Sequence, residues 1–170
     1  QAGPMPTITT SRFGEPYLSD IEPLNFGERS ASEQFERAFD EDFASDDTFF
    51  VVVGSDSGLL LPWLRQRLRG DGSRAVVIEP DDVHAALRSP TSDLPAADDP
   101  RLALCTATQA ETLLNEDTLK PWLFAGRVLL VESLASRARR HAGYAPLSKV
   151  MRMRLGEHVH RAALGGEQRV

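Results

Sequence analysis

Four short stretches read as strands, "TFFVVVG" (48–54), "RAVVIEP" (74–80), "RLALCTA" (101–107) and "RVLLVES" (127–133), and their apolar runs, such as "FFVVV" and "VLLVE", lack polar alternation. A strand with one wet face alternates apolar with polar residues, so runs of this kind need cover on both faces. Helical patterns stand where that cover must come from. "SGLLLPWLRQRLR" follows the first run, "DDVHAALRS" the second, "TQAETLLNEDTLKPWLF" the third, and a long terminal helix lies within residues 144–163. Strands alternating with helices specify an α/β fold with a mostly parallel sheet flanked by helices. Right-handed crossovers then give a Rossmann-like half with strand order 3-2-1-4.

Residues 1–47 precede this alternation. The first thirty mix Pro, Gly and polar residues with Phe13, Tyr17 and Phe26, which reads as a short strand or hairpin and a loop. "SASEQFERAFDEDF" then offers Ser30 and Glu33 as a capping box, with Phe35, Ala38, Phe39 and Phe43 at helical spacing. The expectation is an N-terminal extension and helix (1–47) packed on an α/β domain (48–170), together one structural domain. A phenylalanine stripe of this kind is first of all a packing surface.

At 170 residues, 41% hydrophobic and 26% charged, the chain can bury its own core without staples. The single Cys105 lies in "RLALCTA" and reads as a small buried residue rather than a nucleophile. That usage fits a reducing, cytoplasmic setting. No stretch approaches the roughly 18–20 apolar residues of a membrane span, and "QAGPMPTITTS" has neither the basic nor the apolar region of a leader. A formal charge of −6 argues against nucleic acid as a partner. The charge is uneven, with Asp and Glu dominating residues 15–47 and Lys, Arg and His dominating from Arg137 onward. Two solvated surfaces are the simplest reading, and docking between segments or onto another domain is the other.

The junction after the first apolar run, "GSDSG", is where a dinucleotide fold brings bare backbone and a helix N-terminus to a phosphate. Gly54 and Gly58 fit that pattern, whereas Asp56 fills the second glycine position and Leu59 the third. A phosphate would meet a carboxylate. Against the looser glycine turn of class I methyltransferases the match is again Gly54, Asp56, Gly58. Glu79 ends the second strand, where both classes place an acid on ribose hydroxyls. Gly54, Asp56, Gly58 and Glu79 are therefore the candidate cofactor-binding residues, and a nucleotide or S-adenosylmethionine is the ligand class they would take. A nucleophile elbow with Asp56 in the serine position fails for want of a partnered histidine base among His141, His158 and His160.

His158 and His160 are two apart on a helix and point to different faces, so no metal site is expected. Arg137, Arg139, Arg140 and His141 follow the last strand and read as a basic loop at the sheet's C-terminal edge, suited to an anion or simply solvated. Leu147, Val150, Met151, Leu155 and Val159 form an apolar stripe on the terminal helix, either core packing or a connector to a following domain. No acid/base pair, nucleophile or metal set emerges, so no catalytic residue is assigned.

The order of "EPYLSDIEPL", "ASEQFERAF", "FVVVGSDSGLLLPWL", "VVIEPD" and "HAGYAPL" resembles the N-terminal region of the motility-associated factor (Maf) glycosyltransferase family, bacterial proteins that modify flagellin. The family turn usually reads G-x-G-x-G, and Asp56 departs from it. The resemblance implies an N-terminal Rossmann-like accessory or recognition domain of a longer protein. Transfer of nonulosonic acids from CMP-sugars would then belong to a central domain absent from this chain. It also implies flagellin and that central domain as partners. Two other readings stand beside it: an S-adenosylmethionine-dependent methyltransferase-like domain, and a free-standing interaction module. Homo-oligomerisation is open under each.

Overall fold

The computed structural model describes residues 7–23, 26, 28–68, 72–88, 101–123 and 127–168, with backbone alone at 116 and from 159 onward. In chain order the elements are β1 (Ile8–Thr10), β2 (Pro16–Leu18), α1 (Ala31–Phe39), β3 (Phe49–Val53), α2 (Leu60–Arg67), β4 (Arg74–Ile78) and α3 (Asp81–Leu87). They continue with β5 (Leu102–Cys105), α4 (Ala107–Leu113), α5 (Glu116–Leu123), β6 (Val128–Glu132), α6 (Leu134–Ala138) and α7 (Tyr144–Gln168). β1 and β2 form an antiparallel hairpin. β3 to β6 form a parallel sheet in the order β5-β4-β3-β6, the expected 3-2-1-4 arrangement. The chain is thus α/β and Rossmann-like. The crevice between the C-terminal ends of β3 and β6 is its topological switch point.

Both faces of the sheet are covered, which explains the missing polar alternation. One face is aromatic: Phe35 and Phe39 of α1, with Phe26 and Phe43, pack around Phe50 and Trp63. The Phe43 and Phe50 rings are 4.9 Å apart, and the indole N–H of Trp63 donates to Glu36 at 3.0 Å. The other face is aliphatic, with Val51, Val53, Ile78, Val83, Leu119 and Met151 among its buried residues. Cys105 is buried on that side, and burial pushes its thiol up to about 11. It has no thiolate chemistry to offer at neutral pH.

Several boundaries differ from the sequence reading, each for a local reason. α2 begins at Leu60 because residues 55–59 form a turn of their own. The third helical stretch breaks in two where Asn115 caps the second piece, its side-chain oxygen accepting the Thr118 N–H at 2.8 Å. "SLASRA" folds as the short helix α6 rather than a loop, because the Ser133 hydroxyl caps it by accepting the Ser136 N–H at 3.2 Å. α7 runs to Gln168, beyond the expected 163. Leu147, Met151 and Leu155 of its stripe are buried, whereas Val150 is 42% exposed and lies off the packed face. The Val159 and His160 side chains, and the Pro- and Asp-rich segment 89–100, lie outside the described residues. Of the expected capping box at α1 the Ser30 half forms, its hydroxyl accepting the Glu33 N–H at 3.3 Å, while the Glu33 carboxylate pairs with Arg37 at 3.4 Å.

The acidic and basic segments are largely exposed among the described residues and also touch each other at one ion pair. Arg137 pairs with Asp42 at 3.1 Å while its guanidinium lies 4.6 Å from the Phe39 ring centre. Arg140 donates to the Ser19 carbonyl at 3.4 Å, and His141 contacts Asp82 at 2.8 Å. Among the described residues no helix is long and apolar enough to cross a membrane.

Candidate functional site

Gly54, Asp56, Gly58 and Glu79 come together at the switch point. The turn from β3 into α2 needs unusual backbone: φ is 92° at Gly54, 46° at Asp56, 62° at Ser57 and 79° at Gly58. Two consecutive left-handed residues with side chains are costly and persist only when their surroundings hold them. At Gly54 a second constraint acts. A Cβ there would collide with the Ser133 hydroxyl and come within 3.3 Å of the Tyr144 ring. The close approach that demands glycine at this position is therefore made by the chain itself, from the β6–α6 junction and the start of α7.

The helix N-termini that could face an anion are already occupied. At α2, the Gly58 N–H donates to the Ser55 hydroxyl at 3.0 Å. The N–H groups of Leu59, Leu60 and Leu61 donate to the carbonyls of Asp56, Ser55 and Gly58. At α6, the Leu134 and Ala135 N–H groups donate to the two carboxylate oxygens of Asp56, at 3.0 and 2.9 Å. Ser136 and Arg137 donate to the Ser133 hydroxyl and carbonyl. Asp56 thus supplies, from inside the protein, the anion that an open helix N-terminus would otherwise recruit.

Glu79, at the tip of β4, is also turned inward. Its side chain accepts from the Tyr144 hydroxyl and the Ser55 hydroxyl, each at 2.8 Å, and it is 0% exposed. Burial raises it to about 7, against the opposing pull of those two donors. Burial together with the neighbouring carboxylate holds the Tyr144 phenol well above its usual range.

A third carboxylate completes the cluster. Glu22, from the loop after the β1–β2 hairpin, is buried and accepts the Ser57 hydroxyl at 2.8 Å, while that hydroxyl accepts the Leu18 N–H at 2.8 Å. Its Oε2 meets no donor. Burial and the Asp56 charge push Glu22 well above the ordinary carboxylate range. Burial raises Asp56 too, opposed by the Ala135 and Leu134 N–H groups. The two backbone donors favour the ionised form of Asp56, whereas nothing comparable offsets burial at Glu22.

Glu22, Ser57 and Tyr144 are the members of this network that no motif in the sequence marked. Glu22 lies in a stretch with no periodicity, and its partners are dozens of residues away. Ser133 had a readable signal: a serine directly after a strand and before an apolar pair is an N-cap. Among the described residues no group of His, Cys, Asp and Glu has the arrangement of a metal site.

Comparison of the chain with family models, curated proteins and solved structures gives no match. Three carboxylates and their hydroxyl partners, sealed from solvent, can share protons and fix the geometry of five elements. All three carboxylates are buried.

Proposed function

We propose that the chain acts through contacts with protein rather than through chemistry, as a Rossmann-like accessory or recognition domain. The observation that carries this is the Asp56 carboxylate seated on the α6 N-terminus, filling the crevice where open α/β sheets bind their ligands. The resemblance to the N-terminal region of the motility-associated factor family supplies the setting: a flagellin-modifying bacterial glycosyltransferase whose sugar-transferring domain is separate. Flagellin and that domain are the partners this reading names, and the cytoplasm its location.

A second reading, an S-adenosylmethionine-dependent methyltransferase-like domain, draws on the position of Glu79 at the tip of β4, beside Gly54. Calorimetric titration separates the two. Wild type, Asp56→Gly and Glu79→Ala are titrated with CMP, S-adenosylmethionine, S-adenosylhomocysteine and NAD. The accessory reading expects no heat of binding from wild type with any of them. Saturable binding to wild type that Glu79→Ala abolishes would overturn it and favour the methyltransferase-like reading.

A further inference from the structure

Residues 16–23, strand β2 and the turn after it, form a strap fastened to the β3–α2 turn. Leu18, Ile21 and Glu22 are its buried members, whereas β1, the other strand of the hairpin, is exposed throughout. The polar fastening runs through one hydroxyl: Ser57 accepts the Leu18 N–H and donates to Glu22 Oε1, each at 2.8 Å.

Glu22 is the least satisfied of the three buried carboxylates. Asp56 receives two backbone N–H groups and Glu79 two hydroxyls, but Glu22 receives one hydroxyl, and its Oε2 meets no donor. The ionisable groups that face it cannot neutralise its charge: Asp56 from the β3–α2 turn, Glu79 from the tip of β4 and the Tyr144 phenol of α7. On the strap itself Asp20 accepts the Thr7 N–H at 2.8 Å. Arg140, between α6 and α7, reaches the strap at the Ser19 carbonyl, 3.4 Å away, rather than at Glu22. No ion pair among the described residues includes Glu22. A carboxyl group so placed is tolerated when neutral and costly when charged, because ionisation adds a negative charge to the cluster and leaves a bare oxygen away from water.

We propose that this strap is a pH-gated cover on the switch-point turn, docked while Glu22 is neutral and released when it ionises. Release uncovers Ser57 and the turn that carries Asp56, while the parallel sheet stays folded. The sign follows from the cluster. Burial and the Asp56 charge raise Glu22 in the docked state, so docking is at full strength below the ordinary carboxylate range and weakens as pH rises toward the raised value. Such a cover operates whether the domain meets a protein or a cofactor.

Amide hydrogen exchange of the 170-residue chain across pH, corrected for the intrinsic rate at each pH, tests it. The Leu18 amide reports docking, because its acceptor belongs to the turn. Its protection should fall by about tenfold per pH unit above about pH 5.5, while the amides of the central strand β3 stay more protected. Glu22→Gln keeps an acceptor for the Ser57 hydroxyl but cannot ionise, so it should remove this slope; Glu79→Gln should leave it. From wild type alone, Leu18 protection indifferent to pH, or Leu18 exchanging only together with β3, would overturn the proposal. So would a slope that survives Glu22→Gln, or one that Glu79→Gln removes instead.

Discussion

On its inner side, at the crevice with β3, β6 leads into a helix whose N–H groups are all taken up, two by a carboxylate from the β3–α2 turn. On its outer side the same strand leaves the backbone groups of Val128, Leu130 and Glu132 unpaired among the described residues. The contrast is between a place where a Rossmann-like fold ordinarily receives a ligand and one where a sheet ordinarily continues. Here the first is closed by the protein's own side chains and the second is open. Glycine spacing did not distinguish them. What does is the fate of each donor and acceptor, because a buried polar group must find a partner and an edge group waits for one.

Breaking the closed side should have the largest effect. Asp56→Ala leaves two α6 N–H groups without an acceptor, and should cost about 3 kcal/mol in a urea unfolding experiment. Asp56→Gly should cost about 1 kcal/mol less, since glycine adopts positive φ freely.

Next in size is the response to pH. Glu79 ionises at about 7 when folded, against 4.5 ordinarily, so between those values the unfolded chain has lost a proton that the folded chain keeps. Stability is therefore full below the ordinary value, falls by about 3 kcal/mol across the window as pH rises, and then levels off. The raised Glu22 adds to the fall in the same direction. Urea midpoints measured on either side of the window check this, and Glu79→Gln should flatten the dependence.

A smaller effect is expected from Tyr144→Phe, about 1–2 kcal/mol for one buried hydrogen bond to a carboxyl. Because that hydroxyl holds Glu79 down, its loss should also move the pH window upward. Smallest is Leu129→Lys on the open side. It should change unfolding stability by no more than about 0.5 kcal/mol. A large loss of stability there would mean the edge is covered after all, and the comparison would fail.

Much of this frame was legible in the chain. Apolar runs without alternation, a serine three residues before a glutamate, and a cysteine in an apolar stretch are local signals. They marked β3 to β6, the α1 cap and the buried thiol. "GSDSG" located the junction, and Asp56 stood out because a carboxylate does not belong where a phosphate is expected. What the turn does was not legible. Its meaning depends on α6, whose N–H groups lie 78 and 79 residues further on, and on Glu22 in a segment with no pattern.

The sequence by itself determined the order of strands and helices, because buried strands, helix periodicity and end caps depend on neighbours within a turn or two. Only the tertiary structure decided that Asp56 caps a distant helix, that Glu79 is sealed under Tyr144, and that Glu22 is buried beside them. Those outcomes depend on which groups are excluded from water together, and that is a property of the packed fold rather than of any stretch of chain.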